Sequence, residues 1–228
     1  MNDETVVITG ASRGIGKALA EQLIETGAHL VICSRKKDEI EQVGEQLGEV
    51  GDVTALRADV RDEFDVERLM ERAANITGEI DYLVANAGVY HGSPGATPLS
   101  AESYAAFDDH LRTNARGVFT TVREALAHLG DDARVLVSSG AVARNAIAGF
   151  GSYGVSKATA ESIARAFATE TEYTVGVVDP GQVATELAGE RGHNPADVAE
   201  QFLWALADAP EELVDGTVID RRTWRQNA

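Results

Sequence analysis

A tyrosine and a lysine four residues apart are the side chains of this sequence whose types and spacing most directly suggest chemistry. Tyr153 and Lys157 lie in the segment YGVSK, and Lys157 is one of only four lysines among 228 residues. Residues four apart on a helix share a face, so the ammonium would lie one turn beyond the phenol. A phenol with its ordinary pKa of about 10 is a poor base at neutral pH, but a nearby positive charge favours the phenolate. The pair predicts proton transfer at a carbonyl or hydroxyl oxygen, the alternative being a solvent-exposed pair on an amphipathic helix.

A glycine-rich turn near the start of the chain has the composition of a phosphate-binding site. Residues Thr9–Gly16 read TGASRGIG, directly after an apolar run and before a helical pattern. Glycines permit a tight turn and a close approach of the backbone, and the helix N-terminus offers free N–H groups to an anion. Such turns also end strands for steric reasons alone, but a strand before and a helix after favour a pyrophosphate site.

The elements that must position these residues follow from the hydrophobic pattern. Short apolar runs predict strands at Thr5–Thr9, Leu30–Ser34, Val53–Ala58, Tyr82–Ala85, Arg134–Ser138, Val175–Asp179 and Thr217–Asp220. Helical periods between them include Gly16–Thr26, Asp62–Thr77, Ala115–Leu129, Tyr153–Thr171 and Ala196–Ala207. This alternation predicts an α/β fold of the Rossmann type, a doubly wound parallel sheet of about seven strands with helices on both faces. No repeat or linker divides the pattern, so we expect one nucleotide-binding oxidoreductase domain over residues 1–228.

Further motifs follow these two in an order and spacing that is specific. They are Asp59–Val60, Asn86–Ala87–Gly88, Asn114 within NARGVF, and Asp179–Thr185, which reads DPGQVAT. Together with TGASRGIG and YGVSK they resemble the TGxxxGIG, NAG, YxxxK and PG-x-V-x-T motifs of the short-chain dehydrogenase/reductase family over nearly the whole chain.

The resemblance implies an NAD(P)-dependent oxidoreductase that acts on CH–OH or C=O groups, with Tyr153 as the general acid or base. It implies that Lys157 also holds the nicotinamide ribose, that Asn114 supports a water-linked proton path, and that Asp59 contacts the adenine. The residues assigned to the cofactor in this way are Gly10, Ser12, Arg13, Gly14, Ile15, Gly16, Ser34, Arg35, Asp59, Val60, Asn86, Ala87, Gly88, Tyr153, Lys157, Pro180, Gly181, Val183 and Thr185.

The serine that completes the catalytic set has two candidates, Ser138 and Ser139. The family's serine is commonly the second of such a pair, yet counting back from Tyr153 in the usual pattern lands on Gly140. Either the loop Gly140–Gly151 carries a one-residue insertion and Ser139 keeps its place, or the serine is absent. We favour the insertion, because loops accept residues at little cost. Strand alternation should then send the two serines to opposite faces.

The cofactor preference rests on Ser34 and Arg35, which follow the second predicted strand. An NAD enzyme usually places an acidic residue there for the ribose 2′-hydroxyl, whereas a basic residue accommodates the 2′-phosphate of NADP. Arg35, with Arg13 as a second candidate, predicts a preference for NADP(H) over NAD(H). A solvated basic turn is the alternative.

Three other residue types give weaker signals. The five histidines show no ligand spacing, so we expect no metal. Tyr90 and His91 either touch the substrate or pack within their loop. Arg144 could bind a substrate carboxylate, but a surface arginine is favoured. The single cysteine, Cys33, ends an apolar run and is expected to be a buried structural thiol.

The charge balance excludes some classes of partner. There are 37 acidic and 20 basic residues, which gives a net charge of −17. Such a surface repels nucleic acids and anionic membranes, so we expect neither as a partner. Many carboxylates with few lysines are typical of halophilic proteins, and an ordinary acidic protein is the alternative.

We therefore expect an NADP(H)-dependent carbonyl reductase that acts on a small neutral molecule. A non-catalytic NADP-binding redox sensor is the alternative, against which the intact Tyr153 and Lys157 argue. Without a signal peptide or an apolar run of about 20 residues, a cytoplasmic location is expected. A homodimer or homotetramer is expected from the resemblance.

Overall fold

Seven parallel strands form one sheet in the computed structural model, which describes residues 1–187 and 189–228. In chain order they are β1 Thr5–Thr9, β2 His29–Ser34, β3 Val53–Arg57, β4 Ile80–Ala85, β5 Leu129–Ser138, β6 Thr174–Asp179 and β7 Val218–Asp220. The order across the sheet is β3-β2-β1-β4-β5-β6-β7. The order reverses between β1 and β4, and crevices for ligands form at the carboxyl ends of strands at such a point.

Helices connect the strands and cover both faces of the sheet. They are α1 Gly14–Ile24, α2 Lys37–Gly48, α3 Glu63–Thr77, α4 Tyr104–His110, α5 Gly117–Ala125, α6 Gly151–Glu170, α7 Pro195–Ala207, α8 Glu211–Val214 and α9 Arg221–Asn227. Within the described ranges, no helix is long and apolar enough to cross a bilayer. The predicted doubly wound fold is confirmed.

Alternate residues of the strands enter two separate cores. Val6, Ile8 and Leu136 pack with α1 and α7 on one face. Val7, Val135 and Val137 pack with α3, α5 and α6 on the other. The strands therefore read as continuous apolar runs, because both of their faces are buried. This alternation also decides which side chains at the strand ends point toward α6.

Two predicted boundaries around α5 are wrong. The predicted helix Ala115–Leu129 begins instead as a π-helical turn at Leu111–Arg116, continues as α5 and ends at Ala125. Leu129 already belongs to β5, where it pairs with Ile80 ahead of an irregularity in the register. The apolar residues at the end of α5 keep a helical spacing into the start of β5, so the hydrophobic pattern alone does not show where the helix ends and the strand begins.

Candidate active site

One cavity of about 370 Å³ opens at the carboxyl ends of the central strands. Its wall combines the turns after β1, β2, β3, β4, β5 and β6 with the N-terminal parts of α1 and α6. Most of the residues predicted for cofactor and catalysis lie in this wall, namely Gly10, Ser12, Arg13, Gly14, Ile15, Ser34, Arg35, Val60, Asn86, Ala87, Gly88, Ser139, Tyr153, Lys157, Pro180, Gly181, Val183 and Thr185. The fold thus brings residues from the loops after six strands into one cleft.

The glycine turn is shaped by close backbone contacts. Gly10 has φ +70°, and a Cβ there would lie 2.7 Å from Cα of Ala87. A Cβ at Gly16 would lie 2.5 Å from the carbonyl oxygen of Gly10. No side chain caps α1, whose N-cap residue is Arg13. The N–H groups and positive dipole end of this helix therefore open onto the cavity.

A hydrogen-bond network fixes the loop after β4 against the glycine turn. The amide of Asn86 donates to the carbonyl oxygens of Thr9 and Gly10 at 3.1 and 3.2 Å. The hydroxyl of Thr9 accepts the backbone N–H groups of Asn86 and Ala87, both at 3.1 Å. These residues therefore hold the two central loops in register at the floor of the cavity.

The end of the cavity beyond β2 carries the basic residues considered for cofactor choice. Arg35 is exposed and lines the cavity, and it has no ion-pair partner among residues 1–187 and 189–228. Arg13 already pairs with Glu186 across the cavity mouth at 2.6 Å. Glu39, which sequence reasoning did not single out, also lines this end and pairs with Lys36 at 2.5 Å.

Aromatic rings surround the phenol of Tyr153. The ring of Tyr90 lies 4.8 Å from it and that of His110 lies 6.1 Å away, measured between centroids. The single hydrogen of the Tyr90 hydroxyl is shared between the carbonyl oxygens of Ser93 and Gly149, at 3.1 and 3.2 Å. Tyr90 is therefore both packed within its loop and part of the cavity wall, whereas His91 pairs with Asp109 at 2.7 Å.

Burial raises the pKa of Tyr153 above its ordinary value, with smaller contributions from Tyr90 and Asp179 in the same direction. Within the protein alone, desolvation of the phenolate thus works against the lowering of this pKa that is expected from the sequence. Tyr153 therefore carries its proton at neutral pH and is ready to donate it.

Lys157 lies one helical turn from Tyr153, as predicted, with Nζ 5.9 Å from the centre of the phenol ring. Its ammonium donates to the carbonyl oxygen of Ser138 at 2.8 Å. Burial lowers the pKa of Lys157 to about 8, against the opposing charge of Glu161. The lysine is therefore mostly charged at neutral pH and titrates just above it.

Asn114 is fully buried in the π-helical turn that separates α4 from α5. Its side chain accepts the N–H of Val89 at 2.7 Å and donates to the carbonyl oxygen of Val89 and the hydroxyl of Ser156, each at 2.9 Å. Single π turns inside helices frequently occur at functional sites. Here the amide ties the loop after β4 to the helix that carries Tyr153, and its part in a proton path stays a prediction.

Ser138 and Ser139 face opposite sides of the sheet, as alternation along β5 predicts. Ser139 points toward α6, where its hydroxyl donates to Glu161 Oε1 at 2.7 Å. Ser139 is thus on the same side of the sheet as Tyr153, and both Ser138 and Ser139 lie in the wall of the cavity. This placement supports the view that the loop after β5 absorbs the extra residue.

Three of the predicted residues lie outside the set that lines the cavity, namely Asn114, Gly16 and Asp59. Gly16 packs beneath the glycine turn, as described above. The Asp59 carboxylate pairs with Arg61 at 2.7 Å. Its contact with an adenine stays a prediction.

Two buried carboxylates and an arginine adjoin the cavity, and the sequence did not reveal that they contact one another. Glu161 and Asp179 are buried, and Arg144 donates to both. Arg144, whose side chain is 34% exposed, is therefore already paired with two carboxylates and is not free to bind a substrate carboxylate. A glutamate eight residues after Tyr153, on its own helix face, was the available signal.

The residues present fit a nicotinamide dinucleotide. The uncapped N-terminus of α1 suits a pyrophosphate, because free N–H groups and the helix dipole favour anions. Gly88 leaves room beside Lys157, since a Cβ there would lie 3.8 Å from Nζ and 3.3 Å from Asn114 Oδ1. Gly10, Ser12, Gly14 and Ile15 would hold the pyrophosphate, and Lys157 would hold the nicotinamide ribose.

Comparison with known proteins agrees with this geometry. The family model for short chain dehydrogenases matches residues 4–196. NADPH-dependent aldehyde reductase 2, chloroplastic, of Arabidopsis thaliana is 32% identical over 198 residues, which cover 79% of this chain and 72% of the relative. Oxidoreductase UcpA of Salmonella typhimurium is 33% identical over 219 residues, 92% of this chain and 81% of the relative.

Solved structures show the same fold. The short chain dehydrogenase from Burkholderia cenocepacia, determined in complex with NADP, superposes with a TM-score of 0.86 at 26% identity and covers 96% of both chains. The chain therefore belongs to the short-chain dehydrogenase/reductase family of NAD(P)-dependent oxidoreductases acting on CH–OH and C=O groups.

Proposed function

We propose that this enzyme reduces a small neutral carbonyl compound with NADPH, using Tyr153 as the general acid. The observation that carries the proposal is the meeting of Tyr153, Lys157 and Ser139 in the cavity onto which the N-terminus of α1 opens. A phenol, an ammonium and a hydroxyl at a dinucleotide site are the groups that carbonyl reduction requires.

The protonation states of these residues indicate which of them donates the proton in the reaction. The bound nicotinamide supplies the hydride. Tyr153 holds its proton at neutral pH because burial raises its pKa, so it can donate that proton to a carbonyl oxygen. The Lys157 charge stabilises the phenolate that remains, and Ser139 positions the substrate oxygen.

The substrate end of the cavity favours an uncharged molecule. Its wall includes the apolar and aromatic side chains of Tyr90, Val142, Ile147, Phe150 and Leu187. The nearby cation, Arg144, is already held by two carboxylates. A substrate carboxylate would therefore lose water without gaining a partner, which is costly.

A preference for NADP(H) is supported by Arg35 and by the lack of an acidic residue at Ser34, where β2 ends. Arg35 lies in the cavity wall with its guanidinium unpaired in the described part of the chain. The Arabidopsis relative is named as NADPH-dependent, and the Burkholderia structure contains NADP. The 2′-phosphate would supply the partner that Arg35 lacks.

The test is NADPH oxidation with a panel of aldehydes, ketones, keto esters and quinones. Tyr153→Phe should lower kcat by about 10²- to 10⁴-fold, because it removes the proton donor, and should leave NADPH binding intact. Tyr104→Phe is the matched control, since this tyrosine is 91% exposed, and it should behave as wild type. If NADPH binds and no member of the panel is reduced, the alternative of a redox sensor replaces this proposal.

A further inference from the structure

A carboxylate lies directly behind the Tyr153–Lys157 pair. Tyr153, Lys157 and Glu161 are successive residues at a spacing of four on α6 and therefore share one face of the helix. The side chain of Glu161 is only 2% exposed. A buried charge is costly unless it is paired, so its partners indicate why it is kept.

The first partner of Glu161 is the serine of the site. Ser139 donates its only hydroxyl hydrogen to Glu161 Oε1 at 2.7 Å. A carbonyl oxygen can only accept, so this hydrogen must turn from Glu161 Oε1 to the substrate oxygen when a carbonyl compound binds. Glu161 thus sets the rotamer of the Ser139 hydroxyl beside the cavity before the substrate binds.

The second partner is Arg144, in the loop that is one residue longer than the family pattern. Its guanidinium donates to Glu161 Oε1 and to Asp179 Oδ2, so one cation bridges two buried carboxylates. Asp179 Oδ1 also accepts the N–H of Gly181 at 2.9 Å. The network therefore joins the loop after β5 to the turn after β6, both of which line the cavity.

Glu161 also acts on Lys157. Its charge raises the pKa of Lys157 against the larger lowering effect of burial. Other titratable groups near the Tyr153–Lys157 pair include Tyr90 after β4 and Asp179 on β6, whose charges act on Tyr153, and His110 on α4, whose ring lies 6.1 Å from that of Tyr153. Arg144 and Arg165, the latter 3.8 Å from Glu161 Oε2, both offset part of the Glu161 charge.

We propose that Glu161 is a positioning residue of this enzyme, which orients the hydroxyl of Ser139 and keeps Lys157 charged, and that Arg144 and Asp179 hold it in place. This inference rests on the proposed function, because it assigns Ser139 and Lys157 to the reaction. Glu161 itself touches neither the substrate nor the cofactor in this role.

The test compares pH profiles of kcat/KM for wild type, Glu161→Gln and Glu170→Gln. Glu161→Gln keeps the shape and removes the charge, so kcat should fall by about tenfold at pH 7, the effect of one hydrogen bond to a charged group. The basic limb of the profile should move about one pH unit lower, because Lys157 loses its anionic neighbour. Glu170→Gln makes the same change at an exposed position of α6 and should match wild type.

Arg144→Gln should shift the basic limb of the pH profile in the opposite direction to Glu161→Gln. Removing this guanidinium leaves more of the Glu161 charge for Lys157, so the basic limb should move to higher pH. It also carries the test if Glu161→Gln does not fold, as judged by circular dichroism. A purely structural role would lower activity in both variants without moving the limbs in opposite directions.

A double variant tests whether Glu161 acts through Ser139. If Glu161 works partly through Ser139, its effect should be smaller once Ser139 is gone. Glu161→Gln should therefore lower kcat by a smaller factor in the Ser139→Ala enzyme than in wild type. The inference would be overturned if the double variant lost kcat by the product of the two single losses and the basic limbs of the pH profiles did not move. If wild type reduces no carbonyl, the proposed function fails instead, and the same opposite shifts are then sought in the pH dependence of NADPH binding.

Discussion

The basic residues that line the cavity differ in whether their charge already has a partner within the protein. Lys157 is buried and bonded to a backbone carbonyl, Arg13 is paired across the cavity mouth, and Arg35 lies exposed without a described partner. A ligand phosphate gains most from a cation that has no other partner. At the residue scale, we therefore propose Arg35 as the strongest determinant of cofactor choice.

Replacing Arg35 by aspartate tests this assignment. Arg35→Asp should weaken NADPH binding by about 10- to 100-fold, the effect of one charge-assisted hydrogen bond, and spare or improve NADH binding. Lys37→Asp is the matched control, because Lys37 is exposed and pairs with Glu41 outside the cavity wall. Fluorescence titration with both cofactors measures the change. Equal losses for NADPH and NADH would contradict the assignment.

The motif residues could be predicted because each has a fixed neighbour in sequence. Tyr153 with Lys157, and Gly10 with Gly14, are readable from their spacing alone. Arg144, Glu161 and Asp179 come from three segments, and their roles depend on burial. A charged residue in a sequence is solvated by default, so only the fold reveals that these three are not.

At the scale of elements, the end of β5 carries the argument for Ser139 over Ser138. Ala133, Val135 and Val137 of this strand face α3, α5 and α6, whereas Leu136 faces α1 and α7. Ser139 continues the first set and Ser138 the second. The backbone carbonyl of Ser138, rather than its hydroxyl, bonds to Lys157.

Ser139→Ala should therefore lower kcat by about 10²-fold, the scale of one lost hydrogen bond to the reacting oxygen, and leave NADPH binding unchanged. Ser138→Ala is the natural control, because it makes the same change one residue away on the opposite face, and it should cost much less. Steady-state kinetics of both variants give the ranking. A reversed ranking would show that the strand presents Ser138 to the substrate.

The strands were predicted more accurately than the helices because a buried parallel strand has a simple signature. Their apolar runs lie between glycines and helical periods. The π-helical turn at Leu111–Arg116 has no such signature, since one extra residue in a turn leaves the apolar spacing nearly intact. The start of β5 was missed because Leu129 fits both the helix and the strand.

At the scale of the whole molecule, the net charge of −17 is the dominant feature. Most carboxylates lie on the surface and repel one another in dilute buffer. The Debye length falls from about 30 Å at 0.01 M to about 3 Å at 1 M salt, which screens this repulsion. The homodimer or homotetramer expected from the sequence stays a prediction.

The midpoint of urea unfolding should therefore rise between dilute buffer and 1 M KCl. Sucrose at matched osmolality serves as the control, because it stabilises by exclusion and does not screen charge. Circular dichroism follows the transition in both series. A midpoint that falls steadily with KCl would contradict adaptation to high salt.

The rate at which a reagent labels the buried thiol of Cys33 reports both local opening of the sheet and the binding of a ligand in the cavity. Cys33 is the only cysteine of the chain, lies one residue before the end of β2 in the cavity wall and is 1% exposed. Burial raises the pKa of its thiol to about 12. A thiol reagent can therefore react only when this part of the sheet opens, so the labelling rate measures the free energy of that opening. Any ligand that is released on opening slows labelling by the factor 1 + [L]/Kd. Cofactors can thus be ranked on the unmodified chain, before any substrate is known.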